Sequence, residues 1–268
     1  MIIRAVVEDT TDDVNIGAEH GLCLYIKTDR HNILFDTGKT GLFAENALKM
    51  GIDIKEIDIC VISHGHYDHG GGLQTFLKEN TKANIYINMN AFEAHISASG
   101  NYIGIDPMLR DEKRLIHTGD HFIIDEELKV FTGNDRQITF RPRTDGLKVM
   151  RYGKVLFDDF IDEQYLIINE PGHPKTMITG CSHKGIVNII KWAGNENIKY
   201  VVGGFHFMKV PADAPEGKAY MCEAAEELSD KGITYYTCHC TGKEQYEYMR
   251  RLMPGELKYI SSGQEIAI

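Results

Sequence analysis

The chain has 268 residues, of which 43% are hydrophobic and 25% charged, a composition typical of a soluble globular protein. Its formal net charge of -10 argues against a broad nucleic-acid surface, which needs many basic side chains. No apolar run is long enough to span a bilayer, and residues 1–10 lack the features of a secretory signal, so we expect a cytoplasmic protein without a membrane partner. The six cysteines are therefore expected to be free thiols or site residues.

Strand-like apolar runs and helical patterns alternate along the chain. Predicted strands occupy residues 1–7, 22–27, 32–35, 57–62, 83–88, 165–169, 176–179, 200–203, 234–238 and 257–261. Predicted helices occupy residues 42–50, 72–79, 186–193, 220–231 and 243–253. Segment 93–146 is rich in turn residues, and we expect loops and meander strands there that form the walls of a pocket. No linker or repeat divides the pattern, so we expect one domain over residues 1–268 with layered α/β packing.

Residues 64–69 read His-Gly-His-Tyr-Asp-His and directly follow a predicted strand. Imidazole and carboxylate groups are ordinary ligands of zinc, manganese and iron. Three histidines and one aspartate are too many for a single tetrahedral ion that keeps a position open for water. The spacing therefore predicts two ions, with His64 and His66 on the first and Asp68 and His69 on the second. Two ions about 3.5–4 Å apart can share a hydroxide, because metal-bound water has a lowered pKa.

Three further predicted strands also end in loops that carry a histidine. His183 follows residues 176–179, His206 follows residues 200–203, and His239 follows residues 234–238. An isolated histidine is more often an ordinary core or surface residue, but beside a metal-binding loop each of these is a candidate ligand or outer contact.

Several other polar residues have less specific patterns. Cys181, Cys238 and Cys240 lie in the same loops and are weaker ligand candidates, because small buried thiols are common in cores. Asp36 follows a buried-looking strand, either as the acceptor that orients a metal-bound histidine or as a simple turn residue. The remaining histidines are expected on the surface or in turns: His20, His31, His95, His117, His121 and His173.

At residues 64–69 the chain resembles the metallo-β-lactamase superfamily, whose hallmark is His-x-His-x-Asp-His after a strand. Asp36, in the Phe-Asp-Thr-Gly segment 35–38, matches the preceding aspartate of that superfamily. Segments 180–183, 203–206 and 238–242 extend the likeness to a branch similar to the dihydropterin ribofuranosyl-aminobenzene phosphate synthase-like proteins. The implied fold is the α/β four-layer αββα sandwich, with two metals at one edge between the sheets.

The chain departs from the superfamily pattern in its second half. Many members carry a histidine in a Pro-Gly-His-Thr segment and then a metal-bridging aspartate in a Gly-Asp turn. Here Cys181, after Gly180, occupies the position of that aspartate, and we assign His183 to the first metal in place of the missing histidine. By the pseudo-symmetry of the fold we favour His239 on the second metal. His206 is then a proton donor, a substrate contact or an alternative ligand.

The ligand pattern and the resemblance together predict a metal-dependent hydrolase with two divalent ions, zinc in the first place and manganese or iron otherwise. We expect a metal-bound hydroxide to attack a phosphoester or another small anionic ester, with Asp68 and His206 as catalytic residues. The branch resemblance implies a rival, a synthase-type transferase that releases pyrophosphate. Two further alternatives are an iron-dependent redox protein and a non-enzymatic metal sensor.

Overall fold

A computed structural model describes residues 1–144 and 146–268, with the backbone alone at Asn195. Asp145, in the predicted pocket segment 93–146, lies outside the described residues. The strands are, in chain order, β1 (Ile2–Val7), β2 (Cys23–Lys27), β3 (Asn32–Phe35), β4 (Ile59–Ile62), β5 (Asn84–Asn88), β6 (Ala94–Ile96), β7 (Leu115–Thr118), β8 (His121–Ile123), β9 (Leu128–Phe131), β10 (Lys148–Arg151), β11 (Lys154–Phe157), β12 (Tyr165–Ile168), β13 (Thr176–Ile178), β14 (Tyr200–Gly203), β15 (Thr234–Thr237), β16 (Leu257–Tyr259) and β17 (Glu265–Ala267). The α-helices are α1 (Leu42–Lys49), α2 (Tyr67–Gly70), α3 (Leu73–Glu79), α4 (Ile186–Trp192), α5 (Pro215–Leu228) and α6 (Lys243–Leu252).

Two mixed sheets carry most of these strands. The first has the order β17-β1-β2-β3-β4-β5-β7 and the second has the order β16-β15-β14-β13-β12-β9-β8. Strands β3, β4, β5 and β7 run parallel in the first sheet, and β13, β14, β15 and β16 run parallel in the second. Because parallel strands bring their carboxyl ends to one edge, the loops that follow them in each sheet lie side by side.

The alternation of side chains along the strands builds the layers. In β4, Ile59 and Val61 belong to the core between the two sheets, whereas Cys60 and Ile62 pack on the opposite face with Phe43 of α1. The second sheet repeats the arrangement, with a separate core that joins its outer face to helices α4, α5 and α6. Each sheet is therefore buried on both faces, which confirms the predicted four-layer αββα sandwich.

Most predicted elements are confirmed with small shifts at their ends, and β12 and β13 form an antiparallel pair. The helix predicted at 220–231 is displaced towards the N-terminus. It starts at Pro215, whose ring suits a first helical turn, and it ends before Asp230, where a φ of 59° leaves the helical region. No helix in the described part of the chain is both long enough and apolar enough to cross a bilayer.

Candidate metal centre

The histidine loop leaves strand β4 and ends in the single turn of helix α2. Its tight path depends on Gly65, because a Cβ atom there would lie 2.0 Å from the carbonyl oxygen of Ala91. The backbone N–H of Gly65 donates a 2.7 Å hydrogen bond to Oδ2 of Asp162. The loop is thereby pinned between two other segments, and the side chains of residues 64–69 are aimed inward.

Three histidine nitrogens form the first donor cluster. Nε2 of His64 lies 3.1 Å from Nδ1 of His66 and 3.2 Å from Nε2 of His183. Burial lowers the pKa of His64 and His183 well below the usual value, and burial with the nearby His95 lowers that of His66 to about 3. All three rings are therefore neutral at physiological pH, which is the form that binds metals.

A network behind the first cluster fixes its orientation. Oγ of Ser63 donates to Oδ2 of Asp36 at 2.8 Å and contacts Nδ1 of His64 at 2.9 Å. The same carboxylate oxygen lies 2.7 Å from Nδ1 of His69. Of the two roles that the sequence left open for Asp36, these contacts match the acceptor for a histidine of the site. The network leaves Nε2 of His64 and of His69 directed into the centre.

The second donor cluster combines oxygen, nitrogen and sulfur. Oδ2 of Asp68 lies 3.8 Å from Nε2 of His69 and 3.5 Å from Nε2 of His239. Sγ of Cys181 lies 3.1 Å from Nε2 of His69 and 3.5 Å from Nε2 of His239. Burial alone would raise the pKa of Asp68, but the neighbouring His69 and His239 hold it well below its usual value.

His239 and His206 occupy different places in the centre. Nδ1 of His239 lies 2.5 Å from Oδ1 of Asp9, and its backbone N–H donates to Oε2 of Glu8, so its Nε2 is presented to the second cluster. The ring of His206 instead lies 4.2 Å from the ring of His183, on the side of the cavity. His239 thus faces the second cluster, whereas His206 lines the cavity and has a ring nitrogen within 4.8 Å of the ligand atoms of Cys181 and His183.

Sequence reasoning missed His20 and Asp9. His20 is exposed, as expected, but its Nδ1 lies 2.9 Å from Oδ2 of Asp9 and its Nε2 lies 3.4 Å from Oδ2 of Asp68. Asp9 therefore contacts both His20 and His239. Both missed residues belong to the connection between β1 and β2, where no local pattern marks a site.

His95 was expected on the surface or in a turn, and this expectation is wrong. Its side chain is 1% exposed, and Nδ1 lies 2.8 Å from Oδ2 of Asp158. Its ring is 5.1 Å from the ring of His66. After strand β6, which contains His95, the chain turns back beneath the histidine loop. His95 is therefore buried by the tertiary fold and not by any local pattern.

A cavity of about 170 Å³ opens onto both clusters. Its apolar wall contains Tyr67, Ile103, Leu147 and Met208, and Lys209 lies in the same lining. Of the described residues in segment 93–146, Ile103 lines the cavity, so the expectation that this segment forms most of the wall is wrong. The loop after β14 contributes more, with His206, Met208 and Lys209.

The donor set fits divalent metal ions. Ligand atoms of His64, His66 and His183 all lie within 4.8 Å of one another, and the same holds for His64, His69 and Cys181. Buried, neutral imidazoles that converge in this way are costly unless a cation joins them.

Comparison with known proteins agrees with this geometry. The family model described as metallo-beta-lactamase superfamily matches residues 16–150. The uncharacterised protein MJ0448 of Methanocaldococcus jannaschii is 29% identical over 248 residues, covering 88% of this chain and 90% of its own length. The 7,8-dihydropterin-6-methyl-4-(beta-D-ribofuranosyl)-aminobenzene-5'-phosphate synthase of the same organism is 30% identical over 250 residues, covering 84% and 82%.

A solved structure extends the likeness over the whole chain. Tm1679, described as a metal-dependent hydrolase of the beta-lactamase superfamily, superposes with a TM-score of 0.82 at 29% identity and covers 100% of this chain and 99% of its own. The family model, the curated relatives and the shared fold all agree with the His-x-His-x-Asp-His loop at residues 64–69. The chain belongs to the metallo-β-lactamase superfamily.

Proposed function

We propose that the chain is a metal-dependent hydrolase that cleaves a phosphoester or another small anionic ester. The observation that carries this proposal is the convergence of two donor clusters at the base of one cavity. The first cluster offers the nitrogens of three histidines, and three protein ligands are typical of catalytic sites that keep a position for the reactant. Divalent ions there supply Lewis acidity towards the ester and lower the pKa of water.

The side chains around the clusters hold the imidazoles in place before a reactant arrives. Asp36 fixes His69 and, through Ser63, His64, and Asp9 fixes His239. Phe160 stacks on His183 with its ring 4.2 Å away and tilted by 3°. A site held by such contacts needs little reorganisation in the transition state. Such preorganisation is the main source of electrostatic catalysis.

Two residues of the cavity take part in proton transfer. We assign the carboxylate of Asp68 the hydrogen bond that orients the attacking water and the proton that this water loses as its oxygen bonds to the ester centre. His206 lies on the cavity side of His183, and we assign it the proton that the leaving oxygen needs when the ester bond breaks. The two groups line the same cavity, so a substrate lodged in it meets both.

The cavity lining supports a small substrate that combines an anionic group with an apolar part. Lys209 and His20 supply cationic or hydrogen-bonding contacts, while Tyr67, Leu147 and Met208 supply an apolar wall. The printed description of Tm1679 as a metal-dependent hydrolase supports the same reaction class. A phosphoester matches the two-ion arrangement, because two ions can stabilise both oxygens of an in-line displacement.

A second candidate function is a synthase-type transfer that releases pyrophosphate. The 30% identical relative named as a dihydropterin ribofuranosyl-aminobenzene phosphate synthase supports it. Both reactions displace an oxygen leaving group that departs with negative charge, so the same clusters and the same cavity would serve either.

The test uses protein reconstituted with zinc or manganese and three substrates that share one nitrophenol leaving group: a phosphodiester, a phosphomonoester and a carboxylic ester. We expect hydrolysis of at least one phosphoester by the wild type and by the control His121→Ala, which alters an exposed histidine, and loss of activity in His66→Ala. A phenyl phosphodiester added to the series provides a poor leaving group, for which His206→Ala should lower kcat by about 10²–10⁴, and by much less for the nitrophenol substrates. Absence of ester cleavage, together with pyrophosphate release from a pterin substrate, would replace the hydrolase by the synthase.

A further inference from the structure

Two adjacent carboxylates, Asp162 and Glu163, lie just before strand β12, between the two halves of the chain that carry the metal centre. Both residues are at most 1% exposed, and carboxylates rarely occupy the interior unless hydrogen-bond donors satisfy them. Neither side chain belongs to the two donor clusters, and neither lines the cavity. Their hydrogen-bond partners therefore indicate what these two carboxylates do.

Asp162 contacts the histidine loop of the first half. Its Oδ2 accepts the 2.7 Å hydrogen bond from the backbone N–H of Gly65. Because Gly65 lies between His64 and His66, the peptide that this carboxylate holds has a histidine of the first cluster on either side. A displacement of this peptide would therefore move two donor nitrogens together.

Glu163 contacts the turn after β13 in the second half. Its Oε1 accepts a hydrogen bond from the backbone N–H of His183 at 2.6 Å, and its Oε2 accepts one from the backbone N–H of Lys184 at 3.1 Å. The hydroxyl of Tyr165 donates to the same Oε2 at 2.6 Å, so three donors fix this carboxylate. Glu163 thus holds the backbone of the third histidine in the first cluster.

The next residue, Gln164, attaches this segment to the first sheet. Its backbone N–H donates to the carbonyl oxygen of Ser63 at 2.8 Å, and its side-chain amide donates to the carbonyl oxygen of Ile62 at 2.7 Å. Its side-chain oxygen accepts a 2.6 Å hydrogen bond from the hydroxyl of Thr118. The two carboxylates therefore extend from a backbone that is itself fixed.

We propose that Asp162 and Glu163 are positioning residues that set the spacing of the three histidines in the first cluster. Because the two carboxylates are adjacent in the chain, one short segment holds a loop of each half in a common frame. The inference rests on the metal centre of the proposed function and adds two residues that are not themselves ligands. Loss of either carboxylate leaves a buried N–H without its acceptor and frees the backbone of a ligand.

Zinc affinity, measured by titration against a chelator without any substrate, tests the inference in Asp162→Ala, Asp162→Asn and Glu163→Ala. The matched control is Glu170→Ala, because Glu170 is also buried and accepts the backbone N–H of Asp29 at 2.6 Å, beyond the other end of β12. We expect each of the first two alanine variants to bind one zinc ion about 10–100-fold more weakly, and the control to match the wild type. Asp162→Asn should recover most of the affinity, because its amide oxygen can still accept from Gly65.

Double variants separate positioning from a general effect on the fold. Asp162→Ala added to His66→Ala, and Glu163→Ala added to His183→Ala, should not lower the zinc affinity further, because the first cluster is already incomplete. Circular dichroism of the metal-free protein checks that each variant folds. If an alanine variant does not fold, Glu163→Gln replaces it with an intermediate loss expected, because a single amide oxygen then meets three donors.

The other outcomes contradict the inference in distinguishable ways. Wild-type zinc affinity in the folded Asp162 and Glu163 variants overturns the inference and leaves the proposed function intact. An equal loss in Glu170→Ala, or a further loss in the double variants, would show a general effect on the fold and would also overturn it. A wild type that binds no zinc overturns the inference and the proposed function together.

Discussion

The two halves of the molecule contribute to the metal centre in different ways. The first sheet supplies His64, His66, Asp68 and His69 from one loop after β4, whereas the second sheet supplies His183, His206 and His239 from three separate strand ends. A single loop can be recognised from spacing alone. Dispersed residues converge only because parallel pairing of β13, β14 and β15 brings their carboxyl ends together.

Removing one ligand from each half tests most directly whether both halves supply the metal centre. Because His66 and His183 share the first cluster, His66→Ala and His183→Ala should each lose about one equivalent of metal, measured by elemental analysis. His121→Ala serves as the control. A full metal complement in His183→Ala, beside a loss in His66→Ala, would mean that the second half does not supply this ligand.

The outer acceptors of the two halves offer a finer comparison. Asp36 holds His69, and Asp9 holds His239, each through the ring nitrogen that points away from the cluster. Asp36→Asn and Asp9→Asn should each weaken metal affinity by about 10–100-fold, because loss of such an acceptor disturbs ligand orientation and basicity. Titration against a chelator of known affinity measures this, and unchanged affinity in either variant would contradict the assigned support.

The smallest expected effect is on the free energy of unfolding, and it concerns His95, a histidine that pairs with Asp158 and is not a proposed metal ligand. Burial opposes the charge on both partners, yet their mutual contact lowers the pKa of Asp158 and, with Asp162, raises that of His95. For metal-free protein, Asp158→Asn should lower the free energy of unfolding by about 1–3 kcal/mol. Chemical denaturation at several pH values measures this.

The pH dependence of this loss in unfolding free energy follows from the directions in which the pKa values of Asp158 and His95 are shifted. A lowered carboxyl pKa stabilises the fold above its unfolded value of 3.8, and a raised histidine pKa stabilises it below the unfolded value of 6.5. The effect of Asp158→Asn should therefore be full between these limits. It should decline as the pH falls through the folded pKa of Asp158 or rises through that of His95. A difference that does not vary with pH would show that the pair is uncharged.

Local periodicity predicted the strand ends and layered α/β packing, and consecutive donors predicted the histidine loop. The four-layer sandwich was an expectation from the resemblance to the metallo-β-lactamase superfamily. The sequence offered His183, His206 and His239 only as candidates, since nothing local distinguishes a ligand from an ordinary histidine. Asp9 and His20 escaped notice because their β1–β2 connection has no pattern of its own. The burial of His95 depends on how β6 packs under another loop, which no window of sequence contains.

One carboxylate, that of Asp9, contacts two imidazoles, one at the second donor cluster and one at the rim of the cavity. A bound ion that withdraws electron density from His239 strengthens its hold on Asp9 and competes with His20 for the same charge. Ion binding at the second donor cluster and ester binding at the rim of the cavity are therefore linked. By thermodynamic reciprocity, each changes the affinity of the other by the same factor. Metal titrations with and without a phosphate ester, in the wild type and in His20→Ala, measure that factor.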